Sequence, residues 1–276
     1  MRTPTVNRLL VRTWNVFHGN VSPPERRAFL HEMVKLVTRD EPALVCLQEL
    51  PVWSLRRLGE WSGMTAVTDV AARPLLGSSP AALDLERRVT DFDHALLRSA
   101  VTGQANAFLV AAPLRVLEHR SIVLNPLTFR RQEARRLRLT WLQVVDWGKN
   151  RRVCQVVRVR RDDTTLIVAN LHATGKRDRR LADAELLRAA TFVDGFAEPG
   201  EPVVLAGDFN LTVTSSRMIR ELMSAEWGFE GATPSGIDHV LVRGVAAGPP
   251  VRWPVRLRTL DGRVLSDHAP VERELR

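Results

Sequence analysis

The chain has 276 residues, of which 45% are hydrophobic and 26% are charged, and these values exclude disordered and fibrous proteins. Its net charge is +9, carried almost entirely by arginine, since lysine occurs only at positions 35, 149 and 176. Arginine suits phosphate oxygens and so favours an anionic substrate, but a codon bias towards arginine explains the composition equally well.

No segment approaches the roughly 18 apolar residues of a membrane span, and the first apolar run is broken by Arg12. We therefore expect a cytoplasmic protein without a membrane span, and a monomer. Cys46 and Cys154 lack the spacing of a zinc site, which predicts that both are small buried hydrophobic residues.

Short apolar runs bounded by turn residues recur along the chain and predict buried strands. They are LLVRTW (9–14), ALVCL (43–47), AFLVAA (107–112), LIVA (166–169) and VVLA (203–206). Two weaker alternating segments, residues 138–147 and 153–161, predict half-exposed strands.

Three segments between these runs have helical patterns. Residues 23–40 are predicted to begin with a capping box of Ser22 and Glu25, with Pro23 at the first helical position. Residues 178–196 have one apolar face, and residues 80–101 are rich in charged side chains. Because no repeat or linker divides the chain, we predict a single domain over residues 1–276, with layered sheets and flanking helices.

Polar residues follow the buried runs at the points where apolar character stops. These residues are Asn15, Gln48, Glu49, Asn170, His172, Asp208 and Asn210. Two further clusters near the end of the chain are Asp238 with His239 and Asp267 with His268. Since sites in layered folds are assembled at strand ends, the pattern predicts one site built from several strands.

The chemistry of that site is narrowed by the motifs that are missing. The sequence has no GxSxG, no HExxH, no thiolate set for zinc and no glycine-rich phosphate loop. What remains is an oxygen-rich site with histidines, which suits Mg²⁺. Such a cation stabilises charge on a phosphoryl oxygen while a carboxylate or imidazole deprotonates water, so the residues favour phosphoester hydrolysis.

Six ordered motifs carry a family resemblance: TWNVFHGN, LQEL, NLHA, GDFN, IDHV and SDHAPV, spread over residues 13–271. They resemble the endonuclease/exonuclease/phosphatase superfamily of metal-dependent phosphoesterases. The resemblance implies a four-layered α/β sandwich, in which two mixed β-sheets pack face to face with helices on the outside. It also implies Mg²⁺ as the cofactor, with Mn²⁺ as a substitute.

The chain contains no tyrosine, although the apurinic-endonuclease and exonuclease III branch has a tyrosine where this sequence has His172. NLHA is more similar to the deoxyribonuclease-I, sphingomyelinase and inositol-phosphatase branches. The resemblance implies that Asn15 and Glu49 bind the metal and that Asp267 contributes to it.

The resemblance also implies catalytic roles. Asp208 and Asn210 would orient the attacking water and a phosphate oxygen. His268 would act on the phosphate or the nucleophile, oriented by Asp238, and His172 would contact phosphate or assist the leaving group.

We therefore expect a Mg²⁺-dependent phosphodiester hydrolase, foremost a nuclease with a nucleic acid as its substrate. One alternative is a phosphatase or sphingomyelinase-type enzyme that acts on a smaller phosphoester, and another is a non-catalytic binding protein on the same fold.

Some neighbouring residues are expected to be structural. His239 belongs to this group, as do Trp14 and Trp141, which are expected to pack on a sheet. His18 could either reach the site or serve as a local hydrogen-bond partner. Two arginine-rich groups, at 130–138 before a predicted strand and at 176–180 after NLHA, could bind phosphate or form solvated surfaces.

Overall fold

The computed structural model describes residues 9–77, 79–92 and 102–276 and has two large β-sheets. The strands of the first sheet are β1 (Leu9–Asn15), β3 (Leu44–Leu50), β4 (Thr65–Ala72), β5 (Gln104–Val110), β11 (Val251–Arg252) and β14 (Val271–Leu275). Those of the second sheet are β6 (Arg115–Val123), β7 (Val153–Arg161), β8 (Thr164–His172), β9 (Val203–Asp208) and β10 (Asp238–Arg243). A small third sheet contains β2 (Val21–Ser22), β12 (Thr259–Leu260) and β13 (Arg263–Leu265).

Both large sheets mix parallel and antiparallel pairs. The first has the strand order β11-β14-β1-β3-β5-β4, in which β1 and β3 are parallel and β3 and β5 are antiparallel. The second has the order β10-β9-β8-β7-β6, in which only β8 and β9 are parallel. Each of the five apolar runs forms part of a strand, as predicted, although residues 43, 111 and 112 lie just outside their strands.

The two sheets pack face to face over a continuous apolar layer. Side chains such as Cys46 and Phe108 from the first sheet meet Val157, Val168 and Val204 from the second. Both cysteines are free and buried, which confirms their prediction as small hydrophobic residues.

Helices cover the outer faces of both sheets. They are α1 (Leu30–Thr38), α2 (Leu58–Ser62), α3 (Pro80–Phe92), α4 (Leu127–Leu137), α5 (Trp141–Trp147), α6 (Arg179–Asp194) and α7 (Arg217–Leu222). Residues of α1 and α2 pack on the first sheet, and residues of α6 and α7 pack on the second. The four-layered sandwich is therefore confirmed. Among the described helices, none combines the length and the apolar character that a bilayer span requires.

The predicted start of the first helix is wrong. Ser22 pairs with Val264 in the third sheet, and α1 begins at Leu30 without a side-chain cap. The prediction of the helix over residues 178–196 is confirmed, since α6 begins after the capping side chain of Asp178. In the predicted helix 80–101, Pro80–Phe92 is helical, and residues 93–101 lie outside the described residues.

The strand predicted over residues 138–147 is also wrong. Thr140 and Gln143 form a capping box that starts α5, so local hydrogen bonding selects a helix in place of the alternating pattern. Trp141 consequently lies exposed on a helix and does not pack in a sheet. The arginines at 130–136 lie on α4, and β7 is mostly buried where half exposure was expected.

Candidate active site

Three neighbouring strands of the second sheet place Asp238, Asp208 and His172 side by side. Asp208 is in register with Asp238 on antiparallel β10 and with His172 on parallel β8. Along β9, Val204 and Ala206 face the first sheet, and the two-residue period of a strand gives Asp208 the same direction. His172 Nε2 lies 3.4 Å from Asp208 Oδ2. These three side chains therefore lie at the polar end of the surface that the second sheet turns towards the first.

The first sheet contributes Asn15 and Glu49 to the opposite side of this cleft. Asn15, the last residue of β1, donates from Nδ2 to Asp208 Oδ2 at 3.0 Å. The pairing of β3 shifts between Leu47 and Leu50, and Glu49 there has a φ of 55°. Such an irregularity re-aims a side chain, and Glu49 Oε1 lies 3.6 Å from His172 Nε2.

The loop before β14 is fixed to β1 and carries His268 into the cleft. Ser266 Oγ donates to the Asn15 carbonyl at 2.7 Å, and Trp14 Nε1 donates to the His268 carbonyl at 3.0 Å. His268 Nδ1 lies 2.9 Å from Asp238 Oδ2, and its Nε2 lies 3.8 Å from Asp208 Oδ2. The imidazole thus bridges two carboxylates.

Burial and neighbouring charges shift the pKa values of both Asp208 and His268. Burial, opposed by His268 and assisted by the charge of Asp238, raises the pKa of Asp208 to about 7. Burial disfavours the charged form of His268, but the carboxylates of Asp238, Asp208 and Asp267 outweigh it and raise its pKa to about 10. At neutral pH the cleft therefore holds an imidazolium beside a carboxyl group that ionises far less readily than an ordinary aspartate.

Asn210 also contacts the Asp208 carboxylate. Its backbone N–H donates to Asp208 Oδ1 at 2.9 Å, and its Nδ2 donates to the Ala173 carbonyl at 3.0 Å. Its φ of 53° is a conformation that asparagine tolerates better than most residues. Phe209, which lies between Asp208 and Asn210 in the sequence, is buried in the apolar core between the second sheet and its helices, as expected from strand alternation.

Gly207 is needed where β8 and β9 approach each other. Its φ is 137°, and a Cβ atom there would lie 2.0 Å from the Leu171 carbonyl oxygen. Glycine at this position therefore permits close contact of two strands inside the sheet.

Arg152 and Gln104 complete the surroundings of His172, and sequence reasoning missed both. Arg152 Nη1 lies 2.9 Å from His172 Nδ1 and 2.7 Å from Nε2, and Gln104 Nε2 lies 3.1 Å from Nδ1. Because Gln104 Nε2 can only donate and the Asp208 carboxylate faces Nε2, we assign the lone pair to Nδ1 and the proton to Nε2. Burial and the charge of Arg152 hold the pKa of His172 well below its usual range, so this imidazole is neutral.

A layer of polar side chains lies directly beneath the cleft and joins the two sheets. Gln48 Nε2 donates to Asn170 Oδ1 at 2.7 Å and to Thr13 Oγ1 at 2.9 Å. Asn170 Nδ2 donates to the carbonyls of Leu47 and Ala107 across the sandwich. Hydrogen bonds to backbone carbonyls of the opposite sheet fix the spacing of the two halves of the cleft.

The remaining residues of interest have different positions. Asp267 lies in the His268 loop with an exposed carboxylate 3.4 Å from Ser266 Oγ. His18 is buried, with Nε2 3.8 Å from Glu49 Oε2, so it belongs to the cleft. His239 is structural, as predicted: it accepts from the Thr233 N–H and contacts the Leu211 carbonyl.

The donor set fits a hard divalent cation. Oxygen ligands of both sheets converge on one cleft, since the carboxylates of Glu49 and Asp208 lie 3.6 Å and 3.4 Å from the same atom, His172 Nε2. The raised pKa of Asp208 supports this fit, since a nearby cation would favour its ionised form.

Comparison with known structures agrees with this architecture. The chain is similar to a functionally unknown conserved protein from Enterococcus faecalis V583 (14% identity, 97% of this chain and 99% of the other, TM-score 0.65). It is similar to humanized D. rerio TDP2 (15%, 98% and 99%, TM-score 0.63) and to an endonuclease/exonuclease/phosphatase from Bacteroides vulgatus (12%, 98% and 99%, TM-score 0.67). At these identities the likeness shows the fold alone.

The family of the protein is identified by comparison of its sequence with a family model. No curated protein matches the chain by sequence. The model of the Endonuclease/Exonuclease/phosphatase family, however, matches residues 13–268, which include every motif from the Asn15 strand to His268. The chain therefore belongs to the endonuclease/exonuclease/phosphatase family of phosphoesterases.

Proposed function

We propose that this protein is a divalent-cation-dependent phosphodiester hydrolase that cuts a nucleic-acid backbone with water as the nucleophile. One observation carries the proposal: His268 is hydrogen-bonded to Asp238 and lies 3.8 Å from Asp208 in a buried cleft. One group with a pKa of about 7 and another with a pKa of about 10 form an acid–base pair suited to neutral pH.

Glu49 would hold the cation, with Asn15 and Asp267 contributing. The side-chain oxygen of Asn15 accepts from the Phe17 N–H at 2.9 Å and retains a second lone pair. The bound cation, Mg²⁺ or Mn²⁺ as its substitute, would stabilise negative charge on a phosphoryl oxygen.

Asp208 would accept the proton of the attacking water. Asn15 and Asn210 donate to its two oxygens and so fix the direction of the carboxylate, which leaves its remaining lone pairs for water. Asn210 would also contact a phosphate oxygen.

His268 would stabilise the charge that develops on the phosphate. Asp238 accepts from Nδ1 and keeps the ring charged, so Nε2–H can donate into the cleft. Neutral His172 would donate from Nε2 to a phosphate or leaving-group oxygen, with Gln104 at Nδ1 and Arg152 against both ring nitrogens to orient it.

A nucleic-acid substrate is supported by the charge of the molecule. The net charge is +9, and Arg179, in the segment after β8, lies beside the cleft and donates to the Asn210 carbonyl at 2.9 Å. A polyanion gains from many such contacts at once, whereas a single small phosphoester meets only those inside the cleft.

The test is an activity panel with Mg²⁺ and with EDTA. Its substrates are plasmid DNA, single-stranded RNA, phosphocholine esters and phosphomonoesters. We expect Mg²⁺-dependent cleavage of a nucleic acid that is lost in Asp208→Ala and His268→Ala. The exposed residues Asp163 and His119 supply matched controls, Asp163→Ala and His119→Ala, which should retain activity. Activity confined to phosphocholine esters or phosphomonoesters would show that the substrate assignment is wrong.

A further inference from the structure

A helical hairpin between β6 and β7 has one face anchored to the protein. Phe129, Leu137 and Trp147 of the hairpin α4–α5 pack against Leu181 and Ala184 of α6. The rings of Phe129 and Trp147 are 5.9 Å apart with an edge-on geometry. This packing leaves the opposite side of the hairpin facing solvent.

That outer side exposes large apolar side chains. Trp141 is 71% exposed, Leu142 is 63% exposed and Val145 is 50% exposed, all within two turns of α5. Trp141 and Val145 are four residues apart and share one face of the helix. An exposed tryptophan with apolar neighbours on a folded protein indicates an interaction surface.

Three arginines lie on α4, the other helix of the hairpin, or directly after it. Arg131 and Arg135 lie four residues apart on α4, and Arg138 follows its last turn. Arg136 pairs with Glu133, but no carboxylate of the described residues lies within 4.0 Å of Arg131, Arg135 or Arg138. We call these three arginines with Trp141, Leu142 and Val145 the arginine–tryptophan surface. Its guanidinium groups are available to an anionic partner.

The hairpin is joined directly to the candidate active site. Lys176, in the segment that follows His172, pairs with Asp146 of α5 at 3.0 Å. Arg180 at the start of α6 donates to the Leu137 carbonyl at 3.1 Å. After α5 the chain reaches Arg152, which contacts His172, within five residues of Trp147. Since α5 is roughly 10 Å long, only a few nucleotides would separate the cleft from Trp141.

We propose that the arginine–tryptophan surface binds an unpaired strand of the nucleic acid whose backbone is cut in the cleft. Trp141 stacks on a base, and Arg131, Arg135 and Arg138 contact phosphates. This inference rests on the proposed function and adds that the substrate has a single-stranded segment beside the cleaved bond. A lipid surface would also contact Leu142 and Val145, but unpaired arginines beside an exposed tryptophan, joined to a phosphoesterase cleft, favour a nucleic-acid strand.

Binding is tested with a fluorescein-labelled oligodeoxythymidine, by fluorescence anisotropy in EDTA so that affinity is read without hydrolysis. Trp141→Ala should weaken binding roughly ten- to hundredfold, and Trp141→Phe should restore most of it. The double variant Arg131→Gln/Arg135→Gln should flatten the salt dependence, by about 0.7 in the log–log slope for each phosphate that is no longer neutralised. The exposed residues Leu117 and Arg115 on β6 supply controls, Leu117→Ala and Arg115→Gln, which should bind normally.

Two further measurements separate this inference from the proposed function. Trp141→Ala should hydrolyse a small phosphodiester, bis(p-nitrophenyl) phosphate, at the wild-type rate, because the variant keeps every residue of the cleft. Equal oligonucleotide affinity of Trp141→Ala and wild type would overturn the strand-binding surface and leave the nuclease proposal standing. Trp141-dependent binding to phosphatidylglycerol vesicles without oligonucleotide binding would also overturn it and assign the surface to lipid. A wild-type protein that binds the oligonucleotide through Trp141 but cuts no nucleic acid would refute the proposed function alone.

Discussion

At the scale of single residues, the acid–base behaviour of the cleft depends on one hydrogen bond between Asp238 and His268. Asp238 is the largest of the influences that keep His268 protonated up to a pH of about 10. Asp208 becomes ionised as the pH rises through about 7. A bound cation favours ionised Asp208 and moves its titration below pH 7. Activity should therefore fall near pH 10, and its acid limb should lie below pH 7, since the proposed reaction needs Asp208 without its proton and His268 with its proton.

Replacing Asp238 tests this dependence. Asp238→Asn removes the carboxylate that raises the pKa of His268, so the alkaline limb of kcat/KM against pH should move to lower pH. We also expect kcat to fall by roughly a hundredfold or more, because the ring loses its charge and its fixed orientation. The pH profile of Asp163→Asn should match that of the wild type. An alkaline limb that stays in place in Asp238→Asn would contradict the role given to this pair.

At the scale of elements, the site depends on how closely β8 and β9 approach each other. The parallel register that sets His172 beside Asp208 brings Gly207 against Leu171 in the same sheet. Any side chain at position 207 would force the two strands apart at the point where they bring His172 and Asp208 into the cleft.

Gly207→Ala should therefore destabilise the fold. The added Cβ would lie 2.0 Å from a backbone oxygen, so we expect the free energy of unfolding to fall by about 3 kcal/mol or more. Urea denaturation measures this change. Gly200→Ala is the matched control, because Gly200 also has a positive φ, 86°, but a Cβ there would meet no atom within 4 Å. Its cost should be about 1 kcal/mol. Equal losses in the two variants would show that backbone strain, and not the strand contact, governs position 207.

The elements also show why sequence reasoning located some site residues and missed others. Polar residues directly after apolar runs were easy to recognise, and this pattern gave Asn15, Glu49, His172 and Asp208. In an antiparallel neighbour, however, the residues at the beginning of a strand reach the same edge of the sheet. Arg152 precedes β7 and Gln104 begins β5, so a search restricted to strand ends could not find them.

Helix boundaries were predicted less well for a physical reason. The proposed start of α1 relied on Ser22, but long-range pairing with β13 takes that residue into a sheet. Residues 138–147 alternate like a strand, yet the local hydrogen bonds of Thr140 and Gln143 favour a helix. The family motifs predicted the four layers because they are spread over both sheets. The single-domain assignment and the monomeric state stay predictions.

At the scale of the whole molecule, the net charge of +9 should govern the affinity for a long substrate. Binding a polyanion releases counterions, so log(kcat/KM) for nucleic-acid cleavage should fall linearly with the logarithm of salt concentration. The expected slope is about −0.7 to −0.9 for each phosphate contacted.

Hydrolysis of bis(p-nitrophenyl) phosphate over the same salt series is the control and should change little. Initial rates measured at low substrate concentration give kcat/KM directly for both substrates. A flat profile for the nucleic acid would contradict charge-driven binding and favour a small phosphoester as the substrate.

The division of the cleft between two sheets determines at which stage of folding the proposed activity can appear. Asn15 and Glu49 belong to one sheet, and His172, Asp208 and Asp238 belong to the other, so neither half contains a complete set of groups. A newly made chain with one sheet formed would have no hydrolytic power. Under the proposed function, hydrolysis would therefore require the docked sheets, and a partly folded chain would leave the surrounding nucleic acid intact.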